Sequence, residues 1–399
     1  MKTIVLFDYL NYGHHLAYIR LFSKTLLEMG YQVVSFFPEP DEVRRWVALH
    51  CPEYIQQFHA FKVQEPETPK LPIIGKLPQP VFTLFRWIDT ATVIRKASSK
   101  IGCKPDLVFL CWLDNYLSNY LNHHIIERIF PYSWSGLYFH PNNLQFKQHV
   151  LPILGTPLTH HAVAQSSRCY GIALLNEIEA TKLQDKIKNP VFIFPDITDD
   201  SLPDENYVVV QKIRSQAGNR KIVGLFGLLS KRKGLLTLLE VAQKSVNKNW
   251  FFVFAGKLSQ VDLLPEEVTK IKNIVESKPN NCFFHFESIP EGEKFNALIN
   301  ISDVLFAAYE NFPSSSNILT KAAVFEKPVI VSDGFCIGER AKKFQLGLTI
   351  PQGDVSKCIE ALSDLFDHAQ LKPDFEGYKR LHSVEQLRTE FNTICEKIS

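Results

Sequence analysis

The sequence predicts an α/β protein built from two successive doubly wound, Rossmann-like domains. Three observations carry that prediction. Short apolar runs of strand type alternate with amphipathic stretches along the chain. The alternation halts at the polar run Asp196 to Pro203 and then restarts. At 399 residues the chain is long enough for two domains of ordinary size.

The first half opens with a strand over Thr3–Asp8, a loop over Tyr9–His14, a helix over His15–Met29 and a strand over Tyr31–Phe37. That βαβ unit demands a parallel sheet with a right-handed crossover. Further strands are expected at Asp106–Cys111, Ser135–Phe139, Gly171–Leu175 and Val191–Phe194. Pro66 to Pro80, rich in proline and lysine, reads as a loop. Val81 to Lys100 is apolar and aromatic with a basic end. It reads first as a buried core helix and second as a surface for a membrane or an amphiphilic acceptor.

In the second half, strand Ile222–Leu225 leads into the turn Gly227-Leu228-Leu229-Ser230-Lys231-Arg232-Lys233-Gly234 and a helix over Leu235–Val246. Strand Trp250–Ala255, helix Pro265–Ser277, strand Cys282–Phe286, helix Gly292–Ile301 and strand Val304–Ala307 follow. Then comes the most informative stretch, Ser302 to Asp333. After Glu310–Pro313 breaks the apolar run, Ser314, Ser315, Ser316 and Asn317 are all residues that cap helices. Ile318–Phe325 carries the helix, and Lys327-Pro328 punctuates before the strand Val329–Val331. A hydroxyl-lined helix start, with free N–H groups and the positive end of the dipole, suits an anion such as a nucleotide diphosphate. A last helix is expected over Tyr378–Lys397. The domains are therefore 1–200, 201–377, and a 378–399 helix crossing back to the first. Paired sheets of this kind are expected to place their carboxyl edges across a shared cleft.

Composition narrows the classes. A formal charge of +2 leaves no footprint for nucleic acid. Apolar content of 45% and charged content of 22% are ordinary for a globular protein. The eight cysteines stand singly with no CxxC pair, which argues against a zinc site or a disulfide framework. The first residues read as a strand rather than a leader, and nothing is long and apolar enough to span a bilayer, so a reducing cytoplasm is the expected compartment.

The wording of the second half resembles the GT-B glycosyltransferases, and within them the large retaining family 4. The resemblance is strongest from Lys221 to Ile350. The turn Gly227 to Gly234 matches the family's in length and in Lys233-Gly234, with Leu228 where the family has arginine. Lys231 or Arg232 is the neighbouring source of that charge. Ile289-Pro290-Glu291 and Asp303-Val304 also fit. The family's donor loop carries two glutamates eight positions apart. Counted back from Lys327-Pro328, those positions hold Pro313 and Lys321, with Glu310 three residues upstream of the first. A lysine has three donors and no acceptor, so Lys321 cannot receive ribose hydroxyls as a glutamate would. In the first half, Tyr12-Gly13-His14-His15 resembles the family's glycine loop after the first strand. Tyr138-Phe139-His140-Pro141 resembles its strand end bearing a histidine.

The resemblance implies a metal-independent glycosyltransferase without a cofactor, moving a sugar from a nucleotide-sugar donor to an unknown acceptor: a glycan, a lipid-linked sugar or a small molecule. It places Lys233, His140 and Glu310 in catalysis. Gly13, Gly227, Arg232, Lys233, Ser314, Ser315, Ser316, Asn317 and Lys321 would hold the donor, and His14 and His15 the acceptor. Asp114 and Asn115 share the same sheet edge as weaker candidates. Lys233 would neutralise charge building on the departing diphosphate. Two rivals keep the fold: a sugar-nucleotide epimerase, which needs no acceptor, and a non-catalytic partner of a true transferase.

Overall fold

The computed structural model describes residues 1–12, 14–66, 70–71, 75–76, 79–141, 144, 159–367 and 371–398. The chain divides into two compact units, Met1–Pro195 with Val384–Ser399, and Asp196–Ser383.

The first unit centres on a parallel sheet. Its strands are β1 (Thr3–Phe7), β2 (Gln32–Phe37), β3 (Phe58–Lys62), β6 (Leu107–Leu110), β7 (Trp134–Leu137), β8 (Cys169–Leu174) and β9 (Val191–Ile193), in the order β3-β2-β1-β6-β7-β8-β9. Every strand pair in it is parallel, and β1 and β6 are buried end to end. Continuous apolar runs such as Thr3–Phe7 fit a sheet covered on both faces. β3 and the helix Pro40–His50 have no counterpart among the sequence expectations. Within the expected loop 66–80, β4 (Lys70–Leu71) pairs antiparallel with β5 (Gly75–Lys76). Val81–Lys100 lies in one long helix, Gln79–Ile101. Trp87, Ala91, Ile94 and Ala97 enter the core, while Phe85 and Ile88 stay exposed.

The second unit repeats the plan. Its strands are β10 (Lys221–Phe226), β11 (Trp250–Ala255), β12 (Cys282–His285), β13 (Val304–Ala307), β14 (Val329–Ser332) and β15 (Gly347–Ile350), in the order β12-β11-β10-β13-β14-β15, all parallel. The order reverses between β10 and β13, the switch point where doubly wound sheets bind ligands.

Two boundaries depart from the sequence expectation. The last helix is broken into Phe375–Leu381, in the second unit, and Val384–Cys395, in the first. The break falls at His382, whose Nδ1 accepts the Asp196 N–H at 2.9 Å. Burial holds the His382 pKa down at about 2, so the ring is neutral and free to accept. Beyond the break, Phe391 packs its ring 5.4 Å from Phe22, 5.2 Å from Phe109 and 5.1 Å from Phe194. That aromatic cluster fixes the final helix on the first sheet. The polar run from Asp196 is also tied down by hydrogen bonds. Thr320 Oγ1 donates to the Asp196 carbonyl at 2.6 Å, and Asn296 Nδ2 donates to the Ser201 carbonyl at 2.8 Å.

Candidate functional site

In the second unit the turn after β10 is built by its glycines and one serine. Gly227 has φ +87° and Gly234 φ +73°, both left-handed. A Cβ on Gly234 would meet the Ala308 carbonyl at 2.7 Å, so only glycine lets the turn lie against the loop after β13. Ser230 caps the short turn Lys231–Lys233 by accepting the Lys233 N–H at 3.4 Å. The three cations then diverge. Lys231 pairs with Glu267 at 2.5 Å. Arg232 lays its guanidinium over Phe312, 4.5 Å from the ring centroid. The Lys233 amine donates to the Phe226 carbonyl at 3.3 Å and sits 5.6 Å from the Tyr309 centroid. A Cβ on Gly227 would lie 3.2 Å from that amine. Among the described residues neither Arg232 nor Lys233 pairs with a carboxylate. The exposed Arg232 and the half-exposed Lys233 lie beside a bare backbone at the switch point, an arrangement that suits an anion.

The loop Tyr309–Asn317 joins this turn: the Glu310 N–H donates to the Arg232 carbonyl at 2.7 Å. The Glu310 carboxylate accepts from Thr237 Oγ1 at 3.3 Å, at the start of the helix Leu235–Lys244. The hydroxyl run behaves otherwise than a plain cap. The helix Ile318–Val324 has only seven residues, and Asn317 stands at its cap without a side-chain bond. Ser315 Oγ donates to Asp196 Oδ2 at 2.5 Å and accepts from Arg340 Nη1 at 2.6 Å, so that hydroxyl belongs to an internal network. Ser314 and Ser316 are half-buried in the same loop. Lys321 is 1% exposed; its amine donates to Asn296 Oδ1 at 2.6 Å and to the Asp199 carbonyl at 3.1 Å. Burial lowers its pKa. The amine ties the 196–201 segment to Asn296.

The first unit gathers a different set at its carboxyl edge. Asp8 closes β1, and its Oδ2 lies 2.7 Å from His15 Nδ1 at the start of the helix His15–Glu28. Both side chains are 2% exposed. Burial raises the Asp8 pKa, an effect the His15 bond only partly offsets. Trp112 stacks on His15 at 3.9 Å between centroids and on Phe139 at 4.2 Å. Asp114 accepts the backbone N–H groups of Phe139 at 2.9 Å and His140 at 2.7 Å, fixing the loop after β7. Burial lifts its pKa to about 6. His140 and His14 are exposed, and His140 lies 5.6 Å from Trp112. Asn115 lends its carbonyl to Arg86. Gly13 lies outside the described residues. A carboxylate that orients an imidazole is the arrangement used to hold a base or a substrate hydroxyl in place.

The sequence reading missed Asp8 and Trp112. The signal for Asp8 was present: an acid terminating the apolar strand Thr3–Phe7 at the edge where doubly wound sheets bind ligands. Nothing local marked Trp112 as the plate between His15 and Phe139.

Comparison with known proteins fits this architecture. Residues 210–382 match the model of the family described as Glycosyl transferases group 1. No curated protein sequence matches the chain. Among solved structures, a glycosyltransferase from Rickettsia africae superposes with a TM-score of 0.66 at 13% identity, covering 99% of this chain and 96% of that one. Sucrose-phosphate synthase from Thermosynechococcus elongatus gives 0.67 at 14% identity, covering 100% and 99%. Anabaena HepE, solved in complex with UDP, gives 0.61 at 13% identity, covering 100% and 98%. At such identities the likeness establishes the fold, which is GT-B.

Proposed function

We propose that the chain, whose residues 210–382 match the model of the family described as Glycosyl transferases group 1, transfers a sugar from a nucleotide-sugar donor to an acceptor hydroxyl. The observation that carries this reading is the turn Gly227–Gly234, with Lys233 and Arg232 unpaired by any described carboxylate at the switch point of the second sheet. HepE, of the same fold, is known in complexes with UDP and with UDP-glucose, which supports a nucleotide-sugar donor here.

In this mechanism the departing diphosphate gathers negative charge, and Lys233 and Arg232 receive it. Gly227, lacking a side chain, lets the phosphates approach the backbone. Glu310, held beside the turn, takes a donor hydroxyl. At the first unit's edge, Asp8 orients His15 and Asp114 sets the His140 backbone, which together hold the acceptor. Retention at the transferred carbon, and protein cations rather than a metal ion taking the diphosphate charge, belong to the same proposal.

The test is a product assay over a panel of nucleotide sugars with and without candidate acceptors. Transfer that persists with a chelator present is the expected result. Product from donor alone would favour an epimerase, and no turnover or binding with any donor would overturn the proposal.

A further inference from the structure

The long helix Gln79–Ile101 sends polar side chains to two loops at the carboxyl edge of the first sheet. Tyr9, next to Asp8 in the loop after β1, donates its hydroxyl to Asp89 Oδ2 at 2.8 Å and lies 3.1 Å from Thr90 Oγ1. Thr90 Oγ1 is in turn 2.9 Å from the Tyr116 hydroxyl, in the loop after β6. Trp87 Nε1 donates to the Tyr116 carbonyl at 2.9 Å, and Arg86 Nη1 to the Asn115 carbonyl at 3.1 Å. One helix thus holds the loop that carries Asp8 and the loop that carries Asp114.

Arg86 is the costly member of this set. Its side chain is 4% exposed, and the carboxylate it pairs with among the described residues, Glu65, is 44% exposed. Its guanidinium lies 4.8 Å from the Phe82 centroid and 5.7 Å from the Tyr9 centroid. A buried cation with a half-solvated partner gives up hydration that the pair does not return, and an apolar side chain would serve the core as well. Packing alone gives no reason for the charge, whereas Asp8 does. Burial raises the Asp8 pKa, and His15, the Leu10 N–H and the Arg86 charge draw it back. Two other ionisable groups act with Asp8, Cys111 at the end of β6 and Tyr116 beyond it. Burial pushes both up, so both stay neutral. Arg86, by contrast, stays cationic at every working pH.

We propose that Arg86 is a positioning residue for the Asp8–His15 pair, fixing the loops after β1 and β6 from the long helix and setting its charge against the Asp8 carboxylate. This deepens the acceptor role given above to the first unit's edge and rests on that reading. A charged Asp8 orients the His15 imidazole, and a protonated one holds it weakly. Arg86 reaches the acceptor only through that pair.

The experiment is a carboxyl carbon NMR titration of the full chain with labelled aspartate, the Asp8 signal being the one lost in Asp8→Asn. In Arg86→Met the Asp8 midpoint should rise by about one pH unit, the effect of losing a nearby opposite charge. In Arg86→Lys, which keeps the charge, it should stay in place. Glu65→Gln alters a half-exposed side chain and should leave the fold intact. It frees Arg86 of its neutralising partner, so the midpoint should move the opposite way, to lower pH. The acid limb of the kcat profile should follow the Asp8 midpoint in each variant, while UDP affinity stays at the wild-type level. A midpoint unmoved in both Arg86→Met and Glu65→Gln, or an acid limb that ignores a moved midpoint, would overturn the proposal. The NMR midpoints need no turnover, so failure of the transferase reading shows separately, as a wild type that forms no product.

Discussion

The carboxyl edges of the two sheets are built alike and furnished differently. In the first unit the loops after β1, β6 and β7 bring together Asp8, Trp112, Asp114 and His140, with His15 packed beneath. In the second unit the loops after β10 and β13 bring together Lys233, Arg232 and the aromatic rings of Tyr309 and Phe312. The first edge carries buried carboxylates whose pKa values burial raises. The second carries the exposed Arg232 and the half-exposed Lys233, which pair with no carboxylate among the described residues. On the proposed function, the first edge orients hydroxyls and the second receives anions. The difference lies wholly in the residues that end the strands.

The largest expected effect breaks the comparison at the cationic edge. Lys233→Ala removes a charge-assisted hydrogen bond worth roughly 1.5–3 kcal/mol, so turnover should fall about 10- to 100-fold. Arg232→Ala, whose guanidinium also rests on Phe312, should give a smaller loss in the same steady-state assay. Undiminished turnover in both would remove the second edge from the reaction.

Asp8→Asn attacks the other edge. It leaves His15 without a charged anchor, and turnover should fall about tenfold while UDP binding stays at the wild-type level. Loss of UDP binding instead would show that the two edges do not divide the work as described.

Lys321→Ala separates a structural tether from a donor contact. Removing a buried amine that holds Asn296 and the Asp199 carbonyl should lower stability by about 1–3 kcal/mol in chemical denaturation. The folded fraction should bind UDP as the wild type does. A normal denaturation midpoint with weakened UDP binding would return Lys321 to the ligand.

The smallest effect is a pH dependence. The folded Asp114 pKa is raised from 3.8 to about 6. The native state therefore holds that proton more tightly, and the associated stability is present in full below about pH 4. It is lost as pH rises through about 6. Denaturation of wild type and Asp114→Asn across pH 4–7 should show this decline in the wild type and not in the variant. Parallel curves would contradict the burial of that carboxyl.

Much of the architecture was legible because buried parallel strands are nearly continuous apolar runs. Trp250–Ala255 and Val304–Ala307 have the same bounds in sequence and structure. The break at His382 was not legible, since helical periodicity continues on either side and the interruption depends on a bond to Asp196, far away in sequence. Side-chain allegiance was the hardest part. Ser315 and Lys321 advertise donors, but only the fold shows that Asp196 and Arg340 engage the first, and Asn296 and Asp199 the second. The turn that carries Lys233 was easier to read, because Gly227 and Gly234 frame it and a framed turn after a buried strand has few other conformations.

The most direct test of the central claim is a calorimetric titration of UDP into wild type and Lys233→Gln. The account predicts binding to the wild type and affinity at least about tenfold weaker in the variant, the loss expected for one charged hydrogen bond. Equal affinity in the two proteins, or no heat of binding in the wild type, would contradict it.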